Sequence, residues 1–179
     1  MKFNRKDKTL ETERLQLRLF TAADAEQVRS LCDNFTIFKT TLNMPYPYSL
    51  ECALSWMANH ERNFTEDKLY ELAITNKNNG QLYGAIALSN QRLHQNGEMA
   101  YWIGKPFWGN GYATEAARAM LEFAFEEKNY HRVYARYFKS NPASGRVLEK
   151  CGMVYEGTLK DHVYKLNTFE DLIYYGIVK

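Results

Sequence analysis

The sequence predicts an α+β fold in three layers, a mostly antiparallel central sheet of about seven strands flanked by helices. Between residues 69 and 104, three strand-like runs are separated only by short Asn- and Gly-containing segments, the grammar of an antiparallel meander. Segments with helical spacing lie before and after that meander, and strand and helix alternate on both sides of it. A length of 179 residues, against roughly 100–200 residues per domain, fits one domain with a single core.

The first strand is expected over Glu13 to Phe20, where Leu15, Leu17 and Leu19 alternate with Arg14, Gln16 and Arg18. Thr21 then offers an N-cap with Asp24 three residues on, and Ala25, Val28, Leu31 and Cys32 continue at helical spacing. Met44-Pro45-Tyr46-Pro47-Tyr48 is a loop, because each proline lacks a donor and keeps the residue before it from helical angles. Ser49 caps a second helix with Ala53, Trp56, Met57 and His60 on one face. Strands follow over Leu69 to Thr75, Gln81 to Ser89 and Glu98 to Gly104. Tyr112 to Asn129 is a helix with Ala116, Ala119, Met120, Phe123 and Ala124 inward, and His131 to Ser140 is a strand. Asn141-Pro142 opens the next helix in the favoured order of cap and first-turn proline, and Gly152 closes it. Strands near Met153 to Tyr164 and Phe169 to Val178 finish the chain. Residues 1–10, with Lys2, Arg5, Lys6 and Lys8, read as a flexible solvated tail, and residues 11–179 as the domain.

Composition excludes several functions. Lys plus Arg number 23 against 21 Asp plus Glu, a net charge of +2 without long single-sign runs, which argues against a nucleic-acid binder. No run of about 18 apolar residues and no signal-peptide core is present, so no membrane partner is expected and the location read is cytoplasmic. Cys32, Cys52 and Cys151, and His60, His94, His131 and His162, are too scattered for a disulfide framework or a metal knuckle, and no metal is expected. The 26 aromatic residues, 13 Tyr, 10 Phe and 3 Trp, suit half-buried strands, a base-stacking surface or a groove for a flat ligand, and do not choose among them.

Chemistry concentrates in the segment from Tyr101 to Ala116. A strand ends, Gly109 and Gly111 turn the chain, and a helix starts at once, so that unpaired N–H groups and the positive end of the helix converge on one point. This is an anion cradle suited to a pyrophosphate. A Rossmann fingerprint fails because Thr114 stands where the third glycine belongs and the next strand ends in Phe138-Lys139-Ser140 without a carboxylate. A Walker loop fails for want of a Gly-Lys-Ser/Thr triplet, and two glycines that merely turn the chain remain the plain alternative.

About 30 residues beyond that segment comes the run from Asn141 to Met153, with Asn141, Ser144 and Arg146-Val147-Leu148-Glu149-Lys150. Together with the opening strand around Thr12 to Phe20, these motifs resemble the GNAT superfamily of acetyl-CoA-dependent N-acetyltransferases, and most of all its RimJ/RimL-like branch, over nearly the whole chain. The resemblance implies a GNAT-like acyl-CoA N-acyltransferase fold, acetyl-CoA as co-substrate and a primary amine as acceptor. In that branch the leading acceptor is the N-terminal α-amine of a protein, ribosomal proteins included. A small amine such as a polyamine, an amino acid or an aminoglycoside is the rival, and a non-catalytic acyl-CoA-binding module is the alternative from another class. A homodimer is admitted but not specified.

Carried over residue by residue, the resemblance gives Trp108, Gly109, Asn110, Gly111, Tyr112, Ala113 and Thr114 the phosphates, and Trp102, Ile103 and Gly104 a strand end splayed around a bulge. Asn141 would bond the pantetheine arm, although a plain N-cap explains it as well. Ser144 would stand near the thiol sulfur. Leu148 occupies the position where many members place the tyrosine that protonates the thiolate, so Ser144, a water or another tyrosine must act, or the thiolate leaves unaided. Glu98 is the candidate base, with a solvent-facing strand end as its plain alternative, and Asp161 and Asp171 could instead bind the amine. Tyr46, Tyr48 and Trp56 fall in the region that walls the acceptor in this fold.

Overall fold

A computed structural model describes all of residues 1–179. Its single sheet has nine strands, β1 (Lys2–Asn4), β2 (Thr9–Glu11), β3 (Leu15–Arg18), β4 (Leu69–Asn76), β5 (Leu82–Ser89), β6 (Asn96–Ile103), β7 (Arg132–Phe138), β8 (Val154–Lys165) and β9 (Thr168–Val178). Their order is β1-β2-β3-β4-β5-β6-β7-β9-β8, and every neighbouring pair is antiparallel except β6 with β7. The helices are α1 (Ala25–Cys32), α2 (Phe35–Thr40), α3 (Leu50–Met57), α4 (His60–Thr65), α5 (Tyr112–Glu122) and α6 (Pro142–Lys150).

The expected architecture of a mostly antiparallel sheet flanked by helices is present, with two strands more than the seven read from the sequence. The extra pair corrects the reading of residues 1–10 as a tail. β1 pairs with β2 and β2 with β3, Leu10 is fully buried, and Phe3 packs edge-on against Phe123 with ring centroids 5.0 Å apart. Each of these strands is three residues long, too short to show a period of two among so many lysines and arginines. Two helical readings are also refined. The face expected to run from Ala53 to His60 breaks after Met57, and the helix read to Asn129 is α-helical to Glu122 and continues as a π-helical turn over Phe123–Glu127.

The layers follow from the alternation. Leu15, Leu17, Leu72, Ile74, Ile86, Leu88 and Met99 pack on one face against Ala116, Ala117, Met120 and Phe123 of the α5 region. Ala73 and Leu82 meet Ala25, Val28 and Cys32 of α1 and Ala53 of α3 on the other. The aromatics of the last hairpin divide, Tyr175 being buried and Tyr164 exposed beside Phe169 near the β8–β9 turn.

The junction between β3 and α1 is pinned by a buried charge pair. Arg18 Nη2 and Nη1 donate to Asp24 Oδ1 and Oδ2, both at 2.8 Å, and Thr21 N donates to Oδ2 at 2.7 Å. Burial pushes the Asp24 carboxyl upward, but the Arg18 guanidinium and the Thr21 N–H outweigh it and hold the group below the usual aspartate range. The carboxyl is therefore more acidic folded than unfolded, so its stabilisation is present above about pH 4 and is lost as pH falls further. Asp24→Asn leaves Arg18 without its counter-charge and is expected to cost about 3–5 kcal/mol at neutral pH. Urea unfolding at pH 7 and at acid pH checks this, the difference between variant and parent shrinking as the aspartate protonates.

Candidate active site

A cleft opens where β6 and β7 part. They pair in parallel only from Asn96↔Arg132 to Glu98↔Tyr134, after which β7 stays with β9 as far as Phe138↔Leu172 and β6 stays with β5. The β5–β6 register runs from Leu88↔Met99 to Gly84↔Ile103 without a shift, so the bulge expected at Trp102 to Gly104 does not interrupt that pairing. The departure of β7 opens the gap instead.

Which backbone groups face the gap follows from the antiparallel alternation. Gly104 N donates to Tyr83 O at 2.8 Å, which sets the phase: the N–H and C=O of Ile103 point away from β5. The Ile103 carbonyl accepts the Trp108 indole N–H at 2.6 Å, and the Ile103 N–H is turned to the cleft. The Ile103 side chain meanwhile packs in the core under α5.

The cleft belongs to a cavity of about 1200 Å³. At one end lies the loop before α5. Gly109 and Gly111 both have φ of +79°, a left-handed conformation that glycine adopts without strain. Asn110 Nδ2 bonds Phe107 O and Trp108 O, each at 3.1 Å, and Arg14 Nη1 donates to Asn110 O at 3.0 Å. Glu115, in the first turn of α5, accepts from Thr12 Oγ1, Arg14 N and Arg14 Nε, tying the helix start to the β2–β3 turn. Trp108, Gly109, Gly111, Tyr112, Ala113 and Thr114 line the cavity. Asn110 shapes the loop without lining it, and Gly104 lies against Leu31, where a Cβ would come 2.7 Å from Leu31 Cδ2.

Across the cleft, Asn141 and Ser144 line the cavity from the first turn of α6. The Asn141 side chain makes no capping bond, so the plain N-cap reading does not account for it. The Ser144 hydroxyl lies 2.9 Å from the Tyr101 hydroxyl, which also donates to Ser144 O at 3.0 Å. Tyr101 is the partner that sequence reasoning missed. It stood inside the motif, but only folding brings β6 against α6. Burial raises the Tyr101 hydroxyl above its ordinary range, so it stays protonated at neutral pH. Leu148 is buried in the core.

The opposite part of the cavity is walled by Trp56 and Tyr48, as expected, together with Met44 and Ser55; Tyr46 is exposed and stacks on Phe38 instead. Its floor is the sheet face carrying Glu71, Ala87, Ala100 and Glu98. Glu98 faces the cavity rather than open solvent, and its Oε1 accepts from Arg136 Nε at 2.7 Å. Asp161 and Asp171 do not reach the cavity: Asp171 accepts from Lys139 Nζ and from Asp161 N. No three His, Cys, Asp or Glu side chains gather as a metal site, and no helix is long and apolar enough to cross a membrane.

Residues 14–154 match the family model described as acetyltransferase (GNAT) domain. The chain belongs to the GNAT acetyltransferase family. It is 31% identical over 173 residues to the Bacillus subtilis (strain 168) protein "Uncharacterized N-acetyltransferase YoaA", covering 95% of this chain and 96% of that protein. It is 37% identical over 101 residues to "Putative ribosomal N-acetyltransferase YdaF" of the same organism, covering 56% of this chain and 55% of that one. The crystal structure of a GNAT-family acetyltransferase from Bacillus anthracis superposes with a TM-score of 0.83 at 26% identity, over 95% of this chain and 98% of that one. As a GNAT enzyme this chain is an N-acetyltransferase. GNAT acetyltransferases use acetyl-CoA, and the cradle, cleft and facing hydroxyl are what such a co-substrate requires.

Proposed function

We infer that this GNAT enzyme binds acetyl-CoA and acetylates the N-terminal α-amine of a protein, with ribosomal proteins as the leading acceptor class. The observation that carries the reading is the charge of the acceptor half of the cavity. Glu98 is matched by Arg136 and Glu51 is exposed in the first turn of α3, which leaves Glu71 as the one inward carboxylate without a Lys or Arg partner. A polyamine with three or more ammonium groups calls for several unmatched carboxylates, more than this half of the cavity offers, whereas a peptide terminus brings its reacting amine and only such further charge as its first side chains carry. The similarity to YdaF supports the same acceptor.

Bound acetyl-CoA supplies an activated acetyl thioester, and the remaining tasks fall to this chain. The N–H groups from Gly109 to Ala113, with the α5 dipole behind them, hold the pyrophosphate. Asn141 offers its free amide to the pantetheine arm. The Ile103 N–H donates to the thioester oxygen, on which negative charge develops during attack. Ser144, oriented by Tyr101, donates a proton toward the departing sulfur. The second oxygen of Glu98 takes the proton of the incoming ammonium, directly or through water.

A thiol-release screen tests the reading with acetyl-CoA and three acceptor panels: peptides with free N-termini, polyamines and aminoglycosides. The expected result is turnover with the peptides and loss of it when their α-amine is blocked. Turnover confined to a small-amine panel overturns the acceptor, and tight acetyl-CoA binding without thiol release from any panel overturns catalysis.

A further inference from the structure

The same floor holds a pair that the mechanism does not use. His60 opens α4 and Glu71 lies in β4, the next element of the chain, and the turn between them brings Glu71 Oε2 to 3.2 Å from His60 Nε2. The His60 side chain is 2% exposed, packed edge-on against Trp56 and Phe20, and neither ring nitrogen makes an aligned hydrogen bond. Glu71 is 13% exposed and faces the cavity, with no Lys or Arg nitrogen within 4.0 Å.

Such a carboxylate is expensive as it stands. A largely desolvated anion calls for a cation or several donors, and here the protein supplies one poorly aligned imidazole. The missing partner can arrive only through the cavity. Register places the pair in a line with the reacting centre: Glu71 pairs with Ala87, and Ala87 with Ala100 on the strand that borders the cleft. The two alanines leave the trough between them unfilled. At about 4.8 Å per strand, less the reach of the glutamate side chain, Glu71 meets a group roughly 6–10 Å from the cleft.

We propose that Glu71, backed by His60, is a cation-binding subsite that selects acceptors carrying a second ammonium or guanidinium group roughly 6–10 Å from the amine to be acetylated. For a protein terminus this is a Lys or Arg side chain within the first residues after the acetylated one; for a small amine it is the far end of a diamine. The peptide form rests on the acceptor reading above, and the subsite itself does not.

The test is calorimetric binding to the full chain saturated with free CoA, where no turnover occurs. Two matched pairs serve as probes, a Ser-Lys-Ala peptide against its norleucine counterpart and diaminopentane against pentylamine. The parent protein is expected to prefer the cationic member of a pair by at least about tenfold, the worth of one charge-assisted hydrogen bond. Glu71→Gln should bring that ratio to about one, and Glu71→Lys should invert it. Unchanged CoA affinity in both variants verifies that they fold. A preference seen in the diamine pair alone keeps the subsite and overturns the protein-terminus reading. Equal affinities within both pairs, or a preference that survives Glu71→Gln, overturns the subsite.

Discussion

Ser144→Ala is expected to lower kcat about a hundredfold, in the range by which a positioned proton donor accelerates transfer. Acetyl-CoA affinity should change by less than about tenfold, since a neutral hydrogen bond contributes only about 0.5–1.5 kcal/mol. The split between the two readouts follows from the geometry. Ser144 is in the first turn of α6, facing the cleft, and its hydroxyl is fixed 2.9 Å from that of Tyr101. With Leu148 buried in the core where the usual tyrosine would stand, no phenol is available at that position. Tyr101 stays protonated because burial raises it, so it serves as a neutral hydrogen-bond partner that fixes the Ser144 hydroxyl. Tyr101→Phe should therefore reduce kcat as well, by less than the serine variant, because the Ser144 hydroxyl itself remains in the cleft. Steady-state thiol release with equilibrium acetyl-CoA binding measures both. A normal rate in Ser144→Ala would remove the serine from the mechanism and favour unaided departure of the thiolate.

What was legible in the sequence was whatever is encoded locally. The alternation of Leu15 and Leu17, the Asn-rich turn ending in Gly80, the Gly109–Gly111 loop and the Asn141-Pro142 helix start each carry their instruction within a few residues, and each lies where it was read, whereas Asn96 and Gly97, read as a turn, already pair with β7 as the start of β6. The misses share a different cause. β1 and β2 are strands because β3 offers an edge, not because three residues announce a period. The splay of β6 is made by β7 keeping to β9, which no property of Trp102 to Gly104 records. Arg136 on Glu98 and His60 beside Glu71 are partners across the sheet or between helix and strand. Asp171 accepts from Asp161 N within the β8–β9 hairpin and from Lys139, and neither aspartate lines the cavity where an amine would enter.

Gly111→Val is expected to weaken acetyl-CoA binding by about tenfold to a hundredfold, and the structure sharpens the reason. A Cβ at Gly111 would find only Arg14 Nη2, at 3.6 Å, an ordinary contact, so crowding is not the main effect. The φ of +79° is. A β-branched residue pays roughly 1–3 kcal/mol to hold a left-handed conformation, and it escapes by rotating the peptide groups whose N–H bonds form the cradle. Gly80 separates the two effects. It has a similar φ of +72° in the β4–β5 turn, has nothing within 4 Å of a built Cβ, and does not line the cavity. Gly80→Val should lower stability by a comparable amount and leave acetyl-CoA affinity intact, whereas Gly111→Val should lose affinity even at temperatures where it is fully folded. Titration calorimetry with acetyl-CoA, beside thermal unfolding of both variants, reads the difference. Parental affinity in a folded Gly111→Val protein would mean that the loop turns the chain without holding the phosphates.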